Sequence, residues 1–287
     1  MSGKEANKKY RDSVFRDYFN DEKRLLSLCN AILDTNYKDS EKLNINTLEG
    51  IFFDNQKNDI SCVIENNFLV LIEHQTSVNN NMPFRCLSYV AELLNNLVVD
   101  KDKLYHKALI KFPAPRFYVF YDGDAKEPLQ REMRLSDAFD GDNSTLELVV
   151  TALNINFGVS QPLLLKCQHL REYSTLVGKV KEGLRAGLKR KEAISRAVKY
   201  CLENGLMKGY LEEKSKEVFN MLALQWEQDK AIRASYEDGR DDGISEGIER
   251  VALNMIQNGE PLEKIIKFTK LSKERICELV DFFDKDK

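Results

Sequence analysis

The chain has 287 residues, and its content of 43% apolar and 9% aromatic residues excludes an intrinsically disordered protein. This length predicts one good-sized domain with a smaller appendage. The formal net charge of −3 excludes a protein with positive charge over its whole surface. No window approaches the roughly eighteen uninterrupted apolar residues of a membrane span, and the polar N-terminus lacks the apolar stretch of a secretory signal. We therefore expect a cytoplasmic protein with no membrane partner.

Cysteine and histidine form no recognisable metal-binding motif in this sequence. The six cysteines are scattered without a Cys-x-x-Cys pair, and the three histidines lie far apart. A reduced cysteine among apolar neighbours acts as a small hydrophobic side chain. Any hard metal ion would therefore have to be held by oxygen ligands.

The first 160 residues alternate predicted helices and strands after a loose tail over residues 1–10. Asn20 or Asp21 can cap a helix whose apolar residues recur at helical spacing until about residues 34–36. The other predicted elements are a short helix from Asp12, strands over 48–53, 59–64, 68–75, 116–121 and 145–152, and a helix over 83–98. Helices interleaved with strands predict an α/β domain over residues 11–160.

Beyond Pro162 the strand signals end, which predicts an all-helical C-terminal region. Residues 161–230 are predicted to form a helical extension that is interrupted near Asn204-Gly205. Residues 231–287 are predicted to form a polar helix followed by a helical hairpin.

The polar helix of the C-terminal region carries Gly239, Gly243 and Gly247 at four-residue intervals. Each glycine weakens a helix by roughly 1 kcal/mol, so this stripe indicates close helix approach or flexibility. The hairpin that follows is compatible with a DNA-binding helix-turn-helix or with self-association. We favour a homo-oligomer through the C-terminal helices, because the second helix of the hairpin carries more acidic than basic residues.

A basic stretch lies at residues 179–199, which contain eight Lys or Arg residues and two Glu residues, a net charge of +6. If this stretch is helical, it offers a face for nucleic-acid phosphates, and Lys189 and Arg190 at its centre are candidate DNA contacts. The alternative interpretation is an ordinary solvated helix face.

A pair of carboxylates stands near the predicted β-hairpin. Residues two apart in a strand share a face, so Glu73 and Gln75 point the same way from an apolar strand. If residues 65–67 form a three-residue loop, Asp59 lies directly across from Glu73, with Cβ atoms roughly 4.5–5.5 Å apart. A two-residue Asn-Asn turn, which the turn residues slightly favour, places Asp59 on the opposite face.

Two converging carboxylates repel each other unless a proton or a cation lies between them. Oxygen-only ligands suit Mg²⁺, which takes one or two carboxylates together with water and substrate phosphate. Such a site predicts metal-assisted hydrolysis. The alternative is a structural one, in which Glu73 pairs with a nearby lysine or arginine and Asp59 only caps the hairpin.

The residues around this hairpin resemble the Rpn family of recombination-promoting nucleases, which belongs to the PD-(D/E)xK nuclease superfamily. The resemblance rests on Asp59-Ile-Ser, Glu73-His-Gln-Thr-Ser fourteen residues later, Met82-Pro-Phe-Arg85-x-x-x-Tyr89, the upstream Asp12-x-x-Phe15-Arg16-x-x-Phe19, and Leu28-Cys-Asn-Ala-Ile-Leu33. Together with the strand Phe117–Tyr121 it covers about residues 10–160. The helical remainder resembles the more variable tails of bacterial members.

The resemblance implies a PD-(D/E)xK core, in which a mixed central sheet is flanked by helices. It implies Asp59, Glu73 and the backbone carbonyl of His74 as Mg²⁺ ligands, with the His74 side chain on the opposite face. Gln75 takes the position of the usual lysine, and a neutral amide orients water and phosphate without supplying positive charge. Arg85 and Tyr89, four apart on the next helix, are candidates to contact phosphate or to support Gln75, and core packing is the alternative for Tyr89.

The function that the resemblance implies is a Mg²⁺-dependent DNA endonuclease with catalytic residues Asp59, Glu73 and Gln75, linked to recombination or mobile elements in a bacterium. A second hypothesis is a nuclease fold that has lost efficient chemistry at Gln75 and binds DNA or a protein partner. A third hypothesis is an interaction scaffold whose helical tail carries the function.

Overall fold

The computed structural model describes residues 14–38, 43–45, 59–141 and 144–285, with side chains described except at 45, 225–237 and 281–285. The predicted tail over residues 1–10, the predicted strand over 48–53 and the start of the predicted Asp12 helix lie outside the described residues. The chain divides after Gln225 into two compact units.

The first unit contains a six-stranded sheet and most of the helices. Its strands are β1 (Leu43–Ile45), β2 (Ile60–Ile64), β3 (Phe68–Gln75), β4 (Ala114–Tyr121), β5 (Gln130–Arg134) and β6 (Val149–Asn154). Its helices are α1 (Val14–Phe19), α2 (Glu22–Leu33), α3 (Met82–Leu97), α4 (Pro162–Lys166), α5 (Gln168–Arg185), α6 (Arg190–Glu203) and the start of α7 (Lys208–Gln257). Two short 3₁₀ helices, Lys101–Tyr105 and Leu135–Ala138, complete the set that the described residues form.

The sheet is mixed and has the strand order β1-β2-β3-β4-β6-β5. The central strands β3, β4 and β6 run parallel, whereas β1, β2 and β5 pair antiparallel with their neighbours. This confirms the predicted α/β class with a mixed sheet, flanking helices and a helical C-terminal region. Strands β1 and β5 were not predicted from the sequence, and the strand predicted over 145–152 begins later, at Val149.

Helices cover both faces of the sheet. On one face Leu69 and Leu71 of β3, which share the face of Glu73, pack in one core cluster with Met82 and Cys86 of α3. On the other face Phe120 of β4 contacts the ring of Phe15 of α1, with the ring centroids 5.8 Å apart. The carboxyl end of β3 is therefore held between two helical layers.

The helical extension belongs to the same compact unit as the sheet. The buried carboxylate of Glu172 in α5 accepts hydrogen bonds from the Tyr18 hydroxyl of α1 at 3.0 Å and from the Met207 backbone N–H at 3.1 Å. The Ser174 hydroxyl donates to the backbone carbonyl of Ile155, just after β6, at 2.7 Å. These long-range contacts join the N-terminal helix, the sheet and the extension.

Gly178 of α5 is required by close packing, and replacing it with alanine is expected to destabilise the first unit by about 1–3 kcal/mol. A Cβ at this buried position would lie 2.2 Å from the Phe157 Cβ. Gly209 is a matched control in α7, where an added Cβ meets nothing within 4 Å. Urea unfolding should show a lower midpoint for Gly178→Ala and an unchanged or slightly higher midpoint for Gly209→Ala. Equal midpoints would contradict the packing argument.

The second unit contains the end of α7 together with α8 (Leu262–Thr269) and α9 (Lys273–Lys285). Ala252 of α7, Ile265 of α8, and Ile276 and Leu279 of α9 form its buried core. The predicted helical hairpin is thus present, and α7 supplies a third helix that packs against it. Gly239, Gly243 and Gly247 have no neighbour within 4 Å of a built Cβ, so the close helix approach expected there is not found in the described structure.

Among the described residues, no helix combines the length and the apolar character needed to cross a bilayer.

Candidate functional site

The register of the β2–β3 hairpin decides where Asp59 lies. Ile64 pairs with Phe68 and Ile60 with Ile72, which is the register of the three-residue loop. The two-residue turn that the Asn-Asn sequence slightly favours is therefore wrong. Glu65 and Asn66 both adopt positive φ values, 46° and 57°, and Asn67 N–H donates to the Ile64 carbonyl at 2.8 Å. Continuing this register by one residue places Asp59 opposite Glu73.

Asp59 and Glu73 each bind the backbone of the other strand. The Asp59 backbone N–H donates to Glu73 Oε1 at 3.2 Å, and the His74 backbone N–H donates to Asp59 Oδ2 at 2.7 Å. These two hydrogen bonds hold the side chains of Asp59 and Glu73 next to each other at the carboxyl end of β3. The two carboxylates, whose convergence the sequence left dependent on the hairpin loop, are thus brought together.

Burial changes the ionisation of this pair. Glu73 is 4% exposed, and burial together with the charge of Asp59 raises the pKa of Glu73 to about 8. Burial also raises the pKa of Asp59, although the hydrogen bond from the His74 backbone N–H opposes this shift. Burial favours the neutral form of both carboxylates, and at Glu73 repulsion from the negative charge of Asp59 adds to the upward shift in pKa. A bound cation would relieve this repulsion.

Arg85 of α3 completes the cluster on this face. Its Nη2 donates to Glu73 Oε2 at 3.0 Å and to the Tyr89 hydroxyl at 2.8 Å. The Arg85 side chain remains 32% exposed, whereas Tyr89 is 2% exposed and belongs to the core. Core packing, the alternative for Tyr89, is therefore what the structure shows, and Tyr89 reaches the site through its hydroxyl.

Gln75 lies two residues after Glu73 on the same face of β3, and it is the last residue of that strand. Its amide Nε2 donates to Met82 Sδ at 2.7 Å, so it is oriented by the first residue of α3. The expected support of Gln75 by Arg85 is not found, because Arg85 binds Glu73 instead. The structural alternative, an arginine partner for Glu73, is therefore present alongside the carboxylate pair.

His74 points its side chain to the opposite face of the sheet, as alternation along β3 predicted. The ring stacks on Phe15 with centroids 5.1 Å apart, and Nε2 lies 3.0 Å from Asp122 Oδ2 and 3.1 Å from the Tyr173 hydroxyl. Burial lowers the pKa of His74 and the Asp122 carboxylate raises it, with a net upward shift. The pKa of Asp122 shifts downward because the attraction of His74 outweighs burial. The two groups form a buried ion pair.

The backbone of His74 faces the carboxylates. The Gln75 carbonyl accepts a hydrogen bond from the backbone N–H of Asp122, which directly follows β4, at 3.1 Å. Because the backbone groups of successive residues point to opposite edges of a strand, those of His74 point toward β2. The His74 side chain is only 4% exposed although the residue as a whole is half-buried, so its exposed part is main chain. The carbonyl of His74 is thus on the edge that Asp59 occupies.

The remaining predicted DNA contacts lie apart from this cluster. The basic stretch 179–199 is not one helix: α5 ends at Arg185, Gly187 adopts a φ of +83°, and α6 begins at Arg190. Lys189 is the exposed residue that precedes α6, and Arg190 is its first residue. Several other cations of the stretch pair with acidic residues, such as Arg196 with Glu192 at 2.7 Å, which fits a solvated helix face.

Asp122 and Tyr173 were missed by the sequence argument. Asp122 directly follows the predicted strand over 116–121, and Tyr173 lies in the predicted helical extension. An acidic residue at the carboxyl end of a parallel strand was the one available signal.

The donor set for a metal ion is small. Within the part of the chain that the structure describes, no group of three or more His, Cys, Asp or Glu side chains is arranged to hold a metal. The candidate site supplies two carboxylates and one backbone carbonyl, so water and substrate would have to complete the coordination of a hard cation.

Comparison with known proteins identifies no relative of this chain. No protein-family model, no curated protein and no solved structure matches it.

Proposed function

We propose that this protein is a Mg²⁺-dependent DNA endonuclease of the Rpn type with a PD-(D/E)xK core. The observation that carries the proposal is the convergence of Asp59 and Glu73 at the carboxyl end of β3, with Arg85 beside them. The family resemblance of the hairpin and of α3 supplies the substrate class. Hydrolysis of a phosphodiester bond, linked to recombination or mobile elements, is the reaction that this combination supports best.

The residues of the site fit Mg²⁺ in their chemistry. Asp59, Glu73 and the His74 carbonyl offer only oxygen donors. Burial raises the pKa of both carboxylates, and a bound cation would stabilise their charged forms. These three groups would hold the ion. When bound, Mg²⁺ lowers the pKa of a coordinated water molecule and stabilises negative charge on phosphate.

The side chains around the carboxylates have distinct tasks in this proposal. Gln75, held by Met82, orients the attacking water or a phosphate oxygen through its amide. Arg85 is a positively charged and partly exposed group that contacts Glu73, so it supplies the charge that lysine provides in most of the superfamily. Tyr89 holds the guanidinium through its hydroxyl and lies within the core.

Lys189 and Arg190 are proposed to contact the DNA backbone. Replacing both with glutamine is expected to weaken binding of duplex DNA about tenfold at moderate salt and to lower the salt slope by about 1–2. The matched control is Lys208→Gln, a change of charge at another exposed helix start. Fluorescence anisotropy at several salt concentrations measures both quantities. An unchanged affinity and slope would show that this part of the basic stretch is only a solvated face.

Plasmid nicking tests the proposed activity directly. Purified protein with Mg²⁺ should convert supercoiled plasmid to nicked circles, and an excess of EDTA should stop the reaction. Absence of cleavage in Mg²⁺ and in Mn²⁺ would contradict the proposal.

A second candidate function is a DNA- or protein-binding module with a nuclease fold. Two observations favour it: a neutral amide at position 75, and the ion pair in which Arg85 already neutralises Glu73. This candidate predicts salt-dependent DNA binding without cleavage, which the same preparation can show by anisotropy. Absence of both cleavage and binding would leave a protein partner as the remaining form of this candidate.

A further inference from the structure

The side chain of His74 is held by groups that lie far from it in the sequence. Asp122 follows β4 and Tyr173 belongs to α5, yet both contact His74 Nε2, at 3.0 and 3.1 Å. Phe15 of α1 covers the flat face of the ring. Three separate elements therefore converge on one residue of β3.

The backbone of His74 contacts the candidate site on the edge of β3 that faces Asp59. The His74 N–H donates to Asp59 Oδ2, and its neighbours Glu73 and Gln75 carry the side chains of the candidate site. A displacement of the His74 ring that carries the Cα atom with it would therefore move the His74 peptide groups relative to Asp59.

The Asp122 carboxylate that contacts the His74 ring is itself buried. Asp122 is 2% exposed, and its Oδ2 lies 3.0 Å from the His74 ring nitrogen Nε2. The ion-pair contact with His74 compensates for this burial, with a more distant contribution from Lys181. A buried charge that depends on one partner strongly restrains the position of that partner.

We propose that Asp122 and Tyr173 are positioning residues for the candidate metal site: by fixing the His74 ring from one face of the sheet, they hold the His74 peptide and the end of β3 against Asp59 on the other. The consequence for catalysis rests on the function proposed above, whereas the mechanical coupling does not. Partners behind a ligand-bearing residue of this kind commonly change metal affinity or activity by about 10–100-fold when they are removed.

The test compares variants that keep the shape of each side chain. Asp122→Asn removes the charge, and Tyr173→Phe removes the hydroxyl. Tyr210→Phe is the matched control for the second, since it removes a buried hydroxyl that donates to Asp17 at 2.7 Å. Glu172→Gln is the control for the first, because it neutralises another buried carboxylate of the same unit.

Two readouts separate positioning from general stability. Binding of Mn²⁺, followed by electron paramagnetic resonance and displaced with Mg²⁺, should weaken about tenfold in Asp122→Asn and Tyr173→Phe and stay unchanged in both controls. Amide hydrogen exchange of His74, measured by NMR on ¹⁵N-labelled protein, should become faster in the same two variants only. If the protein cleaves DNA, the loss of rate should be recovered at saturating Mg²⁺ with the KM for DNA unchanged.

The outcomes distinguish this inference from the proposed function. If the wild-type protein neither binds Mn²⁺ nor cleaves DNA, the proposed function fails, and the exchange of the His74 amide still decides whether the anchor exists. Exchange rates and metal affinity that are the same in the two variants and in their controls would overturn the inference.

Discussion

Replacement of Asp59 by asparagine is expected to lower Mg²⁺-dependent nicking of supercoiled DNA by about 10³-fold or more, because one of the two metal-binding carboxylates is lost. The asparagine oxygen can still accept the hydrogen bond from the His74 backbone N–H, so the hairpin should keep its geometry. Removal of one charge also relieves the repulsion that raises the pKa of Glu73. The melting temperature of the metal-free variant should therefore equal or exceed that of the wild type.

The matched control for this change is Asp102→Asn, which neutralises an exposed carboxylate in the 3₁₀ helix Lys101–Tyr105. The control should retain full activity. Glu73→Gln should show the same loss as Asp59→Asn. Activity within tenfold of the wild type in either carboxylate variant, with the fold intact, would remove that residue from the proposed site.

Replacement of Arg85 by alanine is expected to destabilise the protein by about 2–3 kcal/mol. Glu73 is buried and has a pKa of about 8, so at about pH 9, where its carboxylate is charged, the loss of its cationic partner leaves that charge uncompensated in a low-dielectric setting. The expected value lies below that for a fully buried pair because the arginine side chain is 32% exposed. The variant should also lose activity, since Arg85 is the cation of the cluster.

A double-mutant comparison identifies the cause of this destabilisation. Glu73→Gln added to Arg85→Ala removes the buried charge, so the double variant should recover a large part of the lost stability. Arg196→Ala breaks an exposed pair with Glu192 and should cost less than about 1 kcal/mol. Urea unfolding midpoints are measured for the wild type, Arg85→Ala, Glu73→Gln, the double variant and Arg196→Ala. Additive effects of the Glu73 and Arg85 changes would show that their ion pair contributes little to the fold.

The local elements of this protein could be predicted from the sequence, because their signals lie within a few residues of each other. Asp21 caps α2 through a hydrogen bond from the Arg24 N–H, and the helix ends at Leu33, with Asp34 in a left-handed conformation. Alternation along β3 correctly placed Glu73 and His74 on opposite faces. The short strands β1 and β5 were missed because three to five residues carry too weak a periodic signal.

The hairpin register could not be derived from local signals alone. Two adjacent asparagines suit a two-residue turn, whereas the chain instead places Glu65 in a left-handed conformation that is costly for a residue with a side chain. Tertiary packing outweighs that local preference, since the observed register puts Leu69 and Leu71 into the core beneath α3.

The residues that contact the His74 side chain could not be predicted from the sequence either. His74 meets partners that are separated from it by 99 residues in the case of Tyr173. No periodic pattern connects positions at such a separation, and only the parallel pairing of β3 with β4 and the packing of α5 bring them together. The same packing makes the helical extension part of the first unit rather than a separate domain.

The most direct test of the central claim is an anomalous difference map from crystals of the protein soaked with Mn²⁺. We expect a peak in contact with carboxylate oxygens of both Asp59 and Glu73, and the same peak should be absent in Asp59→Asn. A map without a peak at this position, in which Arg85 remains paired with Glu73, would contradict the claim that these carboxylates form a divalent-cation site.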